Sequence, residues 1–335
     1  MTDLLPGLEG HEAARRRLAT ALDRGRLPHA LAFVGPTGVG KALAARALAR
    51  ALHCPERPGR GCGACRACRR IDAGHHAGVE WLTPEDGARS IPVETTRRVR
   101  NRALRAPLEG PAHVVIVDPA EALTLQSANA LLKVLEEPPP GVHFILTCTS
   151  LRGLLPTIAS RCVPIRFGAL PADLVAAILD TQIPDLDPKT RAAALGLCAG
   201  RPGEAIRRAR DPAVAAQVAL FEAAARASAQ GPAAVFSGDG GEVWQALSEA
   251  AKATKLKGAA GERAAALGLV DLWVLDVRRR CTGEGPLSAG NARRAAAALA
   301  VLMDARAALD ANAQVRLAVE DLLLRMHEAA GCDAA

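Results

Sequence analysis

Gly35-Pro-Thr-Gly-Val-Gly-Lys41 has the spacing G-x-x-x-x-G-K of a phosphate-binding loop. An apolar strand-like run, Ala30 to Val34, precedes it, and a helix-forming run, Ala42 to Leu52, follows. In that strand–loop–helix order, backbone N–H groups and a helix N-terminus converge on phosphate. The residue after the lysine is normally Ser or Thr, whose hydroxyl ligates Mg²⁺. Here it is Ala42. Such a loop keeps the cradle for a nucleotide and lacks one part needed to hydrolyse it. Gly35, Thr37, Gly38, Gly40 and Lys41 are the candidate nucleotide-binding residues, so ATP or ADP is expected to bind without turnover.

Working outward, Val114-Val-Ile-Val-Asp118 reads as a buried strand ending in a metal-coordinating acid, which adds Asp118 to the set. A glutamate that polarises the attacking water usually follows such an aspartate. Pro119 stands there instead, and Glu121, two residues on, needs a different geometry. Val142–Thr147 gives a third strand signal. Strands alternating with helical stretches predict an α/β domain, a parallel sheet covered on both faces with ligands at the carboxyl ends of its strands.

Near Arg166–Leu170 the strand signals give way to helices. Pro171–Leu179, Lys189–Cys198 and a run from Glu204 predict a small helical domain. From about Asp211 the chain is alanine-rich and helical, with Gly/Pro breaks at Gly231-Pro232, Gly238–Gly241 and Gly283–Pro286. The expected layout is 1–167 for the phosphate-loop domain, 168–210 for a helical lid and 211–335 for a helical collar. Near the end, Val315, Val319, Leu322, Leu323 and Met326 form one helical stripe. It faces either the core or another helix in an oligomer.

Cys54, Cys62, Cys65 and Cys68 place four thiols within fifteen residues. Two overlapping C-x-x-C steps and an upstream cysteine can wrap one ion, and Gly61 and Gly63 free the backbone to do so. The set predicts a module at about 54–68 closed around a tetrahedral structural Zn²⁺, with an iron–sulfur cluster as the other occupant it allows. His53, His75 and His76 read as bystanders. Cys148, Cys162, Cys198, Cys281 and Cys332 are scattered, as reduced structural thiols are.

The 335 residues carry a formal net charge of +7, which fits a nucleic-acid or acidic-protein partner. Aromatic content of 2% with no tyrosine argues against a single-strand binder that stacks bases on rings. Arg97, Arg98, Arg100, Arg102 and Arg105 form a basic run that reads as a solvated helix face or as a phosphate track. No apolar run reaches a membrane span, and Met1–Gly10 does not look like a secretory signal. A soluble, cytoplasmic protein with no membrane partner is expected.

Four features in order resemble the AAA+ subunits of DNA-polymerase clamp loaders, most of all the delta-prime family of bacterial DNA polymerase III. They are GPTGVGK at 35–41, the four-cysteine insert, NALLKVLEEPPP at 129–140 and TIASRC at 157–162. The resemblance covers about residues 28–167. It implies a RecA-like AAA+ domain with a zinc module, a small helical lid and an all-α collar that binds other subunits. It implies an ATPase-inactive ring member whose Ser160-Arg161-Cys162 arginine, Arg161, completes a neighbouring motor's site as an arginine finger. The implied partners are the motor subunits gamma/tau, delta, and, through the complex, the sliding clamp and primer-template DNA. The assembly is part of a DNA-directed DNA polymerase, a nucleotidyltransferase. Ala42, Pro119 and Gly203, which falls where motors carry a lid arginine, depart from the motor pattern. The competing readings are an active gamma/tau-like motor ATPase and a zinc-dependent nucleic-acid-binding protein working outside a ring.

Overall fold

The computed structural model describes residues 6–85, 88–105, 107, 109–232, 240–281 and 289–331. Gly238, the Gly283–Pro286 break and Cys332 lie outside them. By compactness the chain divides into two units, Met1–Ile178 with Gly200–Glu204, and Leu179–Ala199 with Ala205–Ala335.

The first unit is a parallel sheet in the order β2-β3-β4-β1-β5. Its strands are β1 Ala30–Val34, β2 Val79–Leu82, β3 His113–Val117, β4 Val142–Cys148 and β5 Val163–Arg166. β1 lies between β4 and β5, with Phe33 opposite both Thr147 and Ile165. Side chains alternate across the pleat. Leu31, Phe33, Val114, Ile116 and Ile145 pack on one face with α1 Glu12–Asp23, α2 Lys41–His53 and α3 Arg66–Asp72. Ala30, Ala32, Val115, Val117, Phe144 and Leu146 pack on the other with α4 Val93–Ala103, α5 Leu125–Glu136 and α6 Pro156–Ala159. Burial on both faces explains why the central strands read as unbroken apolar runs. The two edge strands gave no such signal. β2 is Val-Glu-Trp-Leu, and β5 carries Pro164, which a strand tolerates at a sheet edge.

The remaining elements are helical: α7 Ala172–Gln182, α8 Pro188–Leu197, α9 Pro202–Ala209, α10 Pro212–Gln230, α11 Gly240–Ala253, α12 Ala259–Cys281, α13 Ala289–Asp310 and α14 Val315–Gly331. In the second unit Leu220, Leu269, Trp273, Leu302 and Leu322 form one core. The stripe Val315, Val319, Leu322, Leu323 and Met326 belongs to that core, so its core-facing reading holds. Among the described residues no helix is long and apolar enough to cross a membrane.

Candidate functional site

The phosphate loop leaves the carboxyl end of β1 in a tight path. Gly35 N–H donates to the Cys148 carbonyl at 3.0 Å. A Cβ on Gly35 would sit 2.0 Å from the Phe167 carbonyl oxygen, so only glycine fits. Gly38 and Gly40 have φ of 85° and 106°, in the region that favours glycine. Gly40 caps α2, whose first residue is Lys41. The Lys41 ammonium is buried and donates to the carbonyls of Gly35 at 2.6 Å and Pro36 at 2.8 Å. Burial lowers its pKa, and the charges of Asp118 and Glu121 oppose that shift.

Asp118 directly follows β3 and accepts a hydrogen bond from the Thr147 hydroxyl on β4. Glu121 is bound elsewhere. Its Oε1 accepts from the Thr149 N–H at 2.5 Å and the Thr149 hydroxyl at 2.8 Å. The other carboxylate oxygen is buried without a partner. Gly200–Glu204 belongs to the same compact unit as the loop. There the Gly203 N–H donates to the Gly38 carbonyl at 2.9 Å. Sequence reading singled out Gly203 and Glu121. It gave Thr147 and Thr149 no role and missed the Gly203–Gly38 bond, whose partners are distant in the chain.

The cysteines come together. The Sγ atoms of Cys54, Cys62, Cys65 and Cys68 all lie within 4.8 Å of one another. Cys54 and Cys65 Sγ are 3.9 Å apart, too far for a disulfide. Tetrahedral zinc with Zn–S near 2.3 Å requires sulfurs about 3.8 Å apart. Backbone N–H groups of Arg57, Cys62, Ala64 and Cys65 point at the sulfurs of Cys54 and Cys62 at 3.2–3.4 Å. Such donors stabilise thiolates. Burial pushes the Cys54 thiol up, but the Arg57 and Cys62 N–H groups outweigh it and bring it to about 7. Burial holds Cys68 at about 12. The donor set and spacing fit a metal ion, and all four ligands come from protein. His53 and His76 lie against each other with ring centroids 4.4 Å apart. Burial lowers His53 to about 4, so it is neutral. Burial likewise raises Cys148 to about 11 and Cys162 to about 12, which keeps both as thiols.

Arg161 follows α6 with its side chain about a third exposed. It donates to the Thr157 carbonyl at 2.7 Å and pairs with the Glu136 carboxylate at the end of α5. The Arg97–Arg105 run lies on α4 and the residues just after it. Three of its arginines are engaged: Arg97 with Glu94, Arg102 with Glu80, and Arg100 with the Asn101 side chain.

A five-stranded parallel sheet with the phosphate loop after β1, followed by helices, defines an α/β P-loop protein. Residues 10–171 match the family described as DNA polymerase III, delta subunit. DNA polymerase III subunit delta' of Yersinia pestis is 42% identical over 151 residues, 45% of this chain and 44% of that protein. The delta' subunit of Escherichia coli is 36% identical over 191 residues, 57% of each chain. Subunit gamma/tau of Mycobacterium tuberculosis is 39% identical over 171 residues, 51% of this chain and 29% of that protein. The aligned part therefore spans between 29% and 57% of these relatives' own length. Over these residues the chain is similar to delta, delta' and gamma/tau subunits of DNA polymerase III.

Proposed function

We propose that this chain is a non-hydrolysing, delta-prime-type subunit of the clamp loader. In this reading it supplies an arginine finger, Arg161, to a neighbouring motor, and the complex loads the sliding clamp onto primed DNA during replication. The observation that carries the reading is the pair of losses at the catalytic end of the sheet. Ala42 offers no metal hydroxyl, and Pro119 offers no base beside Asp118. Glu121 does not substitute, because Thr149 holds one of its oxygens.

The rest of the proposal follows the same division of labour. Residues 1–167, 168–210 and 211–335 act as AAA+ domain, lid and collar. Cys54, Cys62, Cys65 and Cys68 hold a structural Zn²⁺ that ties the α2–α3 connection together. Gly35, Thr37, Gly38, Gly40, Lys41 and Asp118 form a nucleotide site that binds ATP or ADP without turnover. Gamma/tau motors and delta are the partners, in the cytoplasm, and the clamp and primer-template DNA are met through the complex.

One observation favours a second reading, a gamma/tau-like motor. The gamma/tau relative aligns over 51% of the chain, between the 45% and 57% of the two delta' relatives. The two readings separate on turnover. As a delta-prime-type subunit, the isolated chain has no ATPase activity. A complex rebuilt with its motors then loses clamp- and DNA-stimulated ATPase on Arg161→Ala at matched assembly. One arginine finger supplies about 10³-fold or more at its own site, diluted by the other sites in a ring. Turnover by the isolated chain that vanishes in Lys41→Ala would instead establish the motor.

A further inference from the structure

We propose that a second anion site lies on α1, away from the phosphate loop, and that it holds the phosphodiester backbone of a nucleic-acid duplex. Arg16, Arg17, Thr20, Ala21, Arg24 and Arg26 line a hollow of about 400 Å³ in the first unit. That size lies within the range of about 300–1,000 Å³ typical of ligand sites. The lining holds four guanidinium groups and no carboxylate.

The arrangement follows from the helix. α1 buries Ala14, Leu18 and Ala19 against the sheet, which turns Arg16, Arg17 and Thr20 outward. The chain then bends back through Arg24-Gly-Arg26 before entering β1, and the two further arginines close the rim. Arg17 is anchored, donating from Nη1 to the Pro164 carbonyl at 2.9 Å. Arg16, Arg24 and Arg26 make no ion pair among the described residues. Elsewhere in this unit Arg50 pairs with Asp72 and Arg60 with Asp23. Leaving three guanidinium groups unpaired beside a fourth costs mutual repulsion, which an anion relieves.

The lining decides between anions. A docked acidic peptide needs an apolar centre beside its charges. Here the lone apolar side chain is Ala21, and no ring is present on which a base could stack. Arginine forks match phosphate oxygens in pairs and read no bases. A sugar–phosphate backbone, bound without regard to sequence, is the ligand that fits. The hollow flanks the start of β1 and the phosphate loop follows its end. The five residues of strand between them span about 17 Å, so a nucleotide in the loop does not reach it.

The test is fluorescence anisotropy of the 335-residue chain with a labelled 30-base-pair DNA duplex, from 50 to 200 mM KCl. Each phosphate contact contributes about 0.9 to the slope of log K against log salt. The variant Arg16→Gln/Arg24→Gln/Arg26→Gln is expected to lose two to three such increments, roughly 2–3 units of slope. Arg24→Gln alone loses about one increment. The control Arg98→Gln/Arg105→Gln, on the α4 side, keeps the wild-type slope. The four arginines of the hollow are exposed, so melting temperatures should match. The triple Arg→Lys variant keeps the charge and most of the slope. An unchanged slope in the triple Gln variant would overturn the proposal. So would no binding by wild type at 50 mM KCl. Displacement of the duplex by inorganic phosphate at matched ionic strength would make this a free-phosphate site. Capture of polyglutamate with no competition from duplex would make it an acidic-protein site.

Discussion

The amide of Gly203 donates to the carbonyl of Gly38 at 2.9 Å, joining the start of α9 to the middle of the phosphate loop. A side chain is tight at either residue. A Cβ on Gly203 would lie 3.1 Å from the Gly38 oxygen, and one on Gly38 would lie 3.1 Å from the Glu204 nitrogen. Gly38 also has φ of 85°, which costs an L-residue about 1–2 kcal/mol. Gly38→Ala is therefore expected to lower the melting temperature by roughly 2–8 °C, taking about 2–4 °C per kcal/mol. Gly203→Arg overpacks the loop, at about 1–3 kcal/mol. Thermal unfolding of both variants checks this. A Gly203→Arg protein as stable as wild type would mean that the contact has no steric weight.

Restoring one catalytic part should not restore catalysis. Ala42→Thr returns a hydroxyl to the first turn of α2, beside Lys41. The base position is still Pro119, and Thr149 still holds Glu121. The expected result is Mg²⁺-dependent tightening of ADP or ATP binding with hydrolysis still at background. Titration of a fluorescent nucleotide with and without Mg²⁺, followed by single-turnover hydrolysis, reads both. Turnover in Ala42→Thr alone would show that a base other than a glutamate at position 119 is in place.

The same two places show what a sequence can and cannot carry. The loop, the strands β1, β3 and β4, and the four-cysteine set are local patterns, and each stands in the structure where its spacing says. The edge strands β2 and β5 are four residues each, and one contains a proline, so neither period nor composition marks them. The Gly203–Gly38 bond, the Thr147–Asp118 bond and the Arg161–Glu136 pair join segments brought together by the sheet order and helix packing. No local pattern encodes them. The arginine hollow was equally hidden. Arg16 and Arg26 become neighbours only once α1 packs on the sheet and the chain turns back into β1.

Metal removal tests the cysteine module. Four protein thiols with sulfurs within 4.8 Å leave no position for a substrate, so a bound ion acts on folding alone. One zinc per chain is expected by atomic absorption. Cys65→Ser, which removes a thiolate ligand while its hydroxyl still offers a cap to α3, is expected to lose the metal and lower the melting temperature. Because the ligands must be thiolates, a chelator should strip the metal faster as pH falls. Full metal content in Cys65→Ser would exclude that residue from the ligand set. Iron with visible absorption would replace zinc by a cluster.

Glu136 provides the last prediction, which rests on the proposed role of Arg161. The two side chains are 46% and 33% exposed, so the pair sits in solvent-screened surroundings. Such pairs contribute at most about 1 kcal/mol, and Glu136→Gln should barely move the melting temperature. The carboxylate nevertheless fixes one end of the guanidinium while the Thr157 carbonyl fixes the other. Removing it leaves Arg161 charged but less oriented. In a complex rebuilt with motor partners, Glu136→Gln is expected to lower stimulated ATPase by at most about fivefold, the rate equivalent of roughly 1 kcal/mol. KM for ATP should be unchanged, and Glu136→Asp should recover part of the loss. A loss in Arg161→Ala with none in Glu136→Gln would show that Thr157 alone positions the arginine. No loss in either would remove Arg161 from the neighbour's site.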